Sequence, residues 1–318
     1  MSKVVRVGFN VLAGFATFVG VGGVALHFSR SSSRILVLAA SGAPYLMSSA
    51  LVGVVAFAAM RHRAGAGAAI VVVATAIGTQ VPLYVGHSGD GDGPTVVAMQ
   101  ANLLFDGADP TAFVDQVRAR NIAVLTVDEL TRKAVEDLGR AGLDQLLPHR
   151  YLAPGKTASG TGIWSIYPLS ETVEYDGFVL NQLSATANIP GAGPVTVYAF
   201  HPVPPVYSST VWADELSRLR DIIERSPAGP AIVGGDFNAT YDHAQFRAMV
   251  SGRFEDAAEQ SGAGHLVTYP TDKLWPPLVG IDHILVARGR AAAVETVGLP
   301  GADHRALVAR LRLDREQS

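Results

Sequence analysis

The chain has 318 residues, a mean hydropathy of +0.25, 17% charged residues and a formal net charge of −3. Residues 1–94 hold eight charged side chains (Lys3, Arg6, Arg30, Arg34, Arg61, Arg63, Asp90 and Asp92), and the 224 residues from Thr95 onward hold the other 45 at a net −7. This split excludes one uniform soluble domain and a purely integral membrane protein, and the lack of cysteine excludes disulfides, thiolate zinc sites and a cysteine nucleophile.

Three uncharged runs open the chain: between Arg6 and Arg30, between Arg34 and Arg61, and from Ala64 to about Gly86. Each exceeds the roughly 20 residues needed to cross about 30 Å of hydrocarbon, which predicts a three-span transmembrane anchor over residues 1–86. Lys3 and Arg6 could open a cleavable signal peptide, but two further spans directly behind it argue against one. With the N-terminus inside, the inner segments hold Lys3, Arg6, Arg61 and Arg63 and the outer one holds Arg30 and Arg34. The excess of inside charge puts the remainder of the chain on the extracytoplasmic face of the cell membrane. Residues 87–94 read as a Gly/Asp-rich tether of about 15 Å, which keeps the domain at 95–318 close to the bilayer.

From Thr95, TVVAMQ predicts a buried strand ending at Asn102, and Pro110 starts a helix with Phe113, Val114 and Val117 on one face. IAVLTV predicts a strand ending at Asp128 and Glu129, and Thr131 caps a helix expected to carry Ala134, Leu138 and Leu146 on its apolar side. GIWSIYP, VEYDGFVL, QLSATANI and VTVYAFH predict four strands of an antiparallel meander. Ser208–Ser226 predicts an amphipathic helix, and AIVGGDFN, IDHILVA and ALVARLRL predict further strands. This order fits a mixed α/β domain with two sheets between helices.

Asn102, Glu129, His201, Asp236 with Asn238, Asp282 with His283, and Asp303 with His304 recur at strand ends, where a rigid scaffold presents functional side chains. Glu129, Asp303 and Asn102 offer hard oxygen ligands for Mg²⁺ or Mn²⁺. His201 and His304 can donate to a phosphate or move a proton, and Asp282 can orient an imidazole. Any one of these residues alone reads as a turn or cap, and His149, His243 and His265 read as ordinary solvated or satisfied side chains.

The joint order of YAFHP (His201), GGDFN (234–238), IDHILV (281–286) and DHR (303–305), with GTGIWSIYPL as a central strand, resembles the endonuclease/exonuclease/phosphatase superfamily of metal-dependent phosphoesterases. The resemblance implies a deoxyribonuclease-like four-layer α/β sandwich, two stacked mixed sheets between helices, here preceded by three transmembrane helices. It implies Asn102 and Glu129 as metal ligands with Asp303 completing or bordering the metal site. It further implies Asp236 and Asn238 orienting or activating water, His201 and His304 on the scissile phosphate, and Asp282 polarising His304, with Asp236 and His304 both open as the base. Asp128 stands where the family usually has Gln, Ile166 and Tyr167 where an Arg commonly follows Ser165, and Gly280 and Ile281 where an Arg often precedes the Asp.

Fewer basic residues and the net −7 disfavour nucleic acid. The three-span arrangement also resembles the actinobacterial VanJ type of membrane protein associated with teicoplanin resistance, which implies a lipid pyrophosphate such as undecaprenyl pyrophosphate. The expected function is a membrane-anchored hydrolase of phosphate-ester or phosphoanhydride bonds, acting on a phosphorylated lipid or cell-envelope intermediate with no obligate protein partner evident. The alternatives are a membrane-tethered extracellular nuclease or a catalytically silent binding module. Trp164, Trp212, Trp275, Pro276, Pro277 and Leu278 are candidate lipid contacts, with Trp164 better suited to core packing.

Overall fold

A computed structural model describes residues 3–86 and 92–316. Residues 87–91 of the expected tether lie outside the described residues. Four helices come first: α1 (Lys3–His27), α2 (Arg34–Ala40), α3 (Ala43–Ala59) and α4 (Arg63–Gln80), the last followed by a 3-10 turn at Val81–Leu83. Val4–His27 and Arg63–Leu83 are long and apolar enough to cross a membrane. The second expected span is broken, because α2 and α3 meet at 67°. Pro44 explains the break: it lacks the N–H that would bond to the Ala40 carbonyl, and its ring clashes with that carbonyl.

Small residues allow α1 and α3 to meet closely. A Cβ on Gly20 would lie 2.7 Å from Ala50 Cβ, and one on Gly23 would lie 2.6 Å from the Met47 backbone nitrogen. Phe15, Phe18, Leu51, Val55, Ile70 and Val71 point outward from the bundle.

The remaining chain runs β1 (Thr95–Asn102), α5 (Pro110–Ala119), β2 (Val124–Asp128), α6 (Arg132–Ala141), α7 (Leu143–Leu146), β3 (His149–Ala153), β4 (Thr161–Ser165), β5 (Leu169–Glu174), β6 (Leu183–Ile189), β7 (Gly193–Phe200), α8 (Pro205–Glu224), β8 (Ala231–Asp236), α9 (Ala244–Met249), β9 (Phe254–Asp256), α10 (Ala257–Ser261), β10 (Asp282–Ala287), β11 (Gly289–Gly298) and β12 (Arg305–Leu313). One six-stranded sheet has the order β11-β12-β1-β2-β4-β3 and the other β5-β6-β7-β8-β10-β9. The β1–β2 and β7–β8 pairs are parallel and the other pairs antiparallel.

Val124, Ile163, Val197, Ile232, Ile284 and Leu311 fill the space between the sheets. Phe113, Leu138 and Trp164 pack under α5–α7, and Trp212, Leu219 and Phe246 pack under α8 and α9. Trp164 and Trp212 are therefore core residues, at 1% and 0% exposure, and contact no lipid. The architecture is the expected four layers.

Several local expectations are corrected. The four runs between 161 and 200 do not form one meander, since β4 joins the first sheet and β5-β6-β7 the second. VEYDGFVL turns at Gly177, whose φ of 82° ends the extended run after Glu174. Gly142, at φ 104°, terminates α6, so Leu146 belongs to the separate turn α7. The unanticipated strands β3, β9 and β11 are all at sheet edges, where one flank meets solvent and no continuous apolar run is needed.

Candidate active site

Asn102 ends β1, Glu129 follows β2, His201 follows β7, and Asp236 ends β8 with Asn238 in the loop beyond. Asp282 begins the antiparallel β10, and Asp303 and His304 directly precede the antiparallel β12. The sheet topology therefore brings all eight predicted residues to one edge of the sandwich.

The two sheets are stitched together at that edge. Asp236 N donates to Asp128 Oδ2 at 2.8 Å, and Asn102 Nδ2 donates to Asp236 Oδ2 at 3.2 Å. Gly234 makes this approach sterically feasible, since a Cβ there would collide with the Thr126 hydroxyl, while a Cβ on Gly235 would collide with the Phe200 carbonyl of the neighbouring strand β7. Trp212 Nε1 donates to the Phe237 carbonyl at 3.1 Å, and Asn238 Nδ2 to the Pro202 carbonyl at 3.2 Å, which fixes the GDFN loop. Glu129 and Asn238 hold left-handed backbone, φ 56° and 50°, at a cost of about 1 kcal/mol each that the surrounding bonds offset.

His304 Nδ1 is 2.8 Å from Asp282 Oδ2, and its Nε2 is 3.7 Å from Asp236 Oδ2. His201 Nε2 approaches the same Asp236 oxygen at 3.8 Å. Burial works to lower the pKa of His304, but the Asp282 and Asp236 charges and the Asp282 hydrogen bond raise it to about 10. Asp236 is pushed up to about 7 by burial, with the His304 charge opposing and the Asp282 charge adding. Burial lowers His201 to about 4, and the neighbouring His304 charge contributes in the same direction. At neutral pH the site thus holds one imidazolium, one neutral imidazole and one carboxyl group poised to exchange a proton.

Burial also raises Glu129 and Asp303, and the Asp303 charge adds to the upward push on Glu129. Glu129 Oε2 is buried and has no hydrogen-bond partner among the described residues. A divalent cation is the chemistry that satisfies such an oxygen beside a second carboxylate and an amide, so this donor set fits Mg²⁺ or Mn²⁺. Asp236, Asp282 and His304 also bring one ligand atom each within 4.8 Å of one another, although Nδ1 of His304 is already occupied by Asp282.

Other residues support the site without having stood out in the sequence. Gln182 accepts from His201 N at 2.8 Å and donates to the His201 carbonyl at 2.7 Å. Buried Glu215 takes Val179 N at 2.9 Å and Val203 N at 2.8 Å, holding the loop after His201. Asp128, raised well above the usual carboxylate range by burial, also accepts from Gln100 at 2.7 Å. The Tyr269 ring lies 4.8 Å from that of His304. Only the position of Asp128, beside Glu129 and in place of the usual Gln, hinted at a role. His283 points away from the site, because alternate residues of β10 face opposite sides of the sheet, and it pairs with Asp256 at 2.7 Å.

The family model for the endonuclease/exonuclease/phosphatase family matches residues 99–304. The chain belongs to this family. Its members hydrolyse phosphate-ester bonds, and this chain is a hydrolase of that type. No curated protein matches it in sequence. Among solved structures, Danio rerio TDP2 complexed with a single-strand DNA product is similar at TM-score 0.58 and 16% identity, over 68% of this chain and 98% of that one. The mannosyl-6-phosphatase of Bacteroides thetaiotaomicron is similar at TM-score 0.55 and 15% identity, over 68% and 99%. An endonuclease/exonuclease/phosphatase protein from Beutenbergia cavernae is similar at TM-score 0.55 and 19% identity, over 69% and 72%. At these identities the likeness is one of fold, and the family hydrolase is joined here to apolar helices that lie outside the matched region.

Proposed function

We propose that the protein is a membrane-anchored, divalent-metal-dependent phosphoesterase that hydrolyses a phosphate or pyrophosphate bond of a lipid or cell-envelope intermediate at the extracytoplasmic face. A lipid pyrophosphate of the undecaprenyl type is the leading candidate. The observation that carries the substrate class is the direct docking of the catalytic domain on the apolar bundle. Buried Asp242 takes His27 Nδ1 at 2.7 Å and Gln80 Nε2 at 3.0 Å, and His243 Nε2 meets the Val37 carbonyl at 2.9 Å. Gly264 N donates to the Leu83 carbonyl at 2.8 Å. The site edge is thereby held beside the helices rather than carried on a long linker.

The charge pattern supports the orientation. Lys3, Arg6, Arg61 and Arg63 belong to the end of the bundle remote from the domain, whereas only Arg30 and Arg34 accompany the docked end. The net −7 of residues 95–318 argues against a nucleic-acid backbone.

In the reaction, Glu129, Asn102 and Asp303 would hold the cation, which would neutralise developing charge on the phosphate. Asp236, with a pKa near the working pH, accepts the proton of the attacking water, and Asn238 helps orient that water. His304 stays protonated and donates to the scissile phosphate, with Asp282 fixing its ring, and His201, whose Nε2 faces the same Asp236 oxygen, donates as well. This assignment favours Asp236 over His304 as the base.

The test is hydrolysis by the purified full chain with Mg²⁺ or Mn²⁺ of a polyprenyl pyrophosphate, a phospholipid and plasmid DNA. Phosphate release from the lipid is expected, with loss in Asp236→Asn. DNA nicking without lipid hydrolysis would overturn the substrate class. An alkaline phosphatase fusion at residue 90 is expected to be active, and an inactive one would overturn the orientation.

A further inference from the structure

We propose that the loop from Leu274 to Leu278 and the outer face of α2 are seated in the headgroup region of the bilayer, so that the membrane surface itself sets the position of the catalytic mouth. This rests on the membrane-anchored reading above and extends it to a second, independent lipid contact made by the catalytic domain.

The loop LWPPL exposes Leu274 fully, at 105%, with Trp275 at 53% and Leu278 at 44%. A run of this kind has no reason to remain uncovered in water. Its location identifies the cover. Tyr45, in the first turn of α3, donates its hydroxyl to the Leu278 carbonyl at 2.6 Å, so the loop touches the docked end of the bundle. At its other root, Thr271 N donates to the Asp303 carbonyl and Thr271 Oγ1 to the Ala302 carbonyl, both at 2.8 Å. The same short segment therefore contacts the helix bundle and the residues beside His304.

A second stretch behaves alike on the far side of α2. Val206 and Tyr207, just beyond the His201 loop, are exposed, and Ser209 Oγ donates to the Ser32 carbonyl at 2.8 Å. Between these stretches α2 buries Val37 against the domain and turns Ile35, Leu36 and Leu38 outward. Its 67° bend from α3 lays it across the bundle axis, as an interfacial helix lies.

The aromatic distribution points the same way. Among the described residues, the tyrosines and tryptophans that are exposed are Tyr45, Tyr84, Tyr207 and Trp275, and all four lie at this junction between bundle and domain. Tyr and Trp concentrate at membrane–water interfaces because an amphipathic ring suits that layer. Exposed Arg30, Arg34 and Lys273 stand at the same junction, where cations can meet lipid phosphates.

Tryptophan fluorescence tests this directly, because Trp164 and Trp212 are buried and Trp275 is the exposed indole. The full chain is reconstituted in phosphatidylcholine vesicles whose acyl chains are brominated near the glycerol end. Phe18→Trp, in mid-α1 and so near the bilayer centre, reports whether the bundle is inserted, read in parallel vesicles brominated near the acyl-chain ends. The emission difference between wild type and Trp275→Phe is expected to vanish in brominated vesicles and to return in unbrominated ones. Quenching of Trp275 by aqueous acrylamide but not by bromolipid would overturn the proposal, and so would protection from both, which would mean a protein cover. An unquenched Phe18→Trp would overturn it together with the anchor.

Leu274→Asp with Trp275→Asp is expected to lose turnover of vesicle-embedded lipid while keeping hydrolysis of a soluble phosphate monoester. Bromolipid quenching without any lipid hydrolysis supports the seating and overturns the substrate reading, whereas lipid hydrolysis without quenching does the reverse.

Discussion

The His304 ring bridges two carboxylates, with Nδ1 2.8 Å from Asp282 Oδ2 and Nε2 3.7 Å from Asp236 Oδ2. Asp282 contributes by holding the ring and stabilising its charge. Asp282→Asn is expected to lower kcat by roughly 10²–10⁴ with little change in KM. Steady-state kinetics on the proposed lipid substrate check this, and an unchanged kcat would remove His304 from the chemistry.

The proton assignments give a pH profile. In the proposed mechanism Asp236 must be ionised to accept a proton, so the rate is expected to rise as pH passes about 7 and to fall once His304 loses its charge near 10. The kcat/KM profile over roughly pH 5 to 11 reports these groups. The residual rate of Asp236→Asn is expected to lack the acid limb, and a limb retained in that residual rate would assign it elsewhere.

Glu129 presents a buried, unpartnered oxygen. Calorimetric titration of the chelator-treated protein with Mn²⁺ is expected to show a single strong site, weakened by more than about 10-fold in Glu129→Gln. Saturating Mn²⁺ is expected to raise the unfolding temperature of the wild type and not of the variant. Equal affinity in the two proteins would exclude Glu129 as a ligand.

A stability effect separate from catalysis arises at His283, whose Nδ1 faces Asp256 Oδ2 at 2.7 Å and whose Nε2 faces the Ala239 carbonyl at 2.9 Å. Burial lowers its pKa, but the Asp256 charge and hydrogen bond raise it above the ordinary value. A folded pKa above the unfolded one means that the stabilisation is complete below the unfolded pKa of 6.5 and is lost as pH rises through the folded value. Asp256→Asn, which can still cap α10, is expected to cost about 3–5 kcal/mol at low pH and less at alkaline pH. Thermal unfolding of both proteins across that window measures the difference.

The candidate site residues are legible in the sequence because each follows a short apolar strand or borders one, and the order of GGDFN, IDH and DHR links them. Their convergence depended on the sheets. Asp236 reaches Asp128 and Asn102 because Gly234, having no Cβ, lets β8 approach β2 of the other sheet closely. Gln182 and Glu215 were illegible because each acts on backbone groups distant in sequence, and a Gln just before a strand or a Glu within a helix has no local pattern that marks such a role.

The sequence by itself determined the apolar N-terminal segment, the alternating elements of the family domain and the inventory of chemical groups, since composition, periodicity and motif order are local properties. Tertiary structure decided how the groups share protons, because pKa values depend on burial and neighbours across two sheets. It also decided how the two parts of the chain meet. Pro44 broke the second run into two helices, α2 turned onto the domain, and the exposed tyrosine and tryptophan side chains gathered at the junction that results.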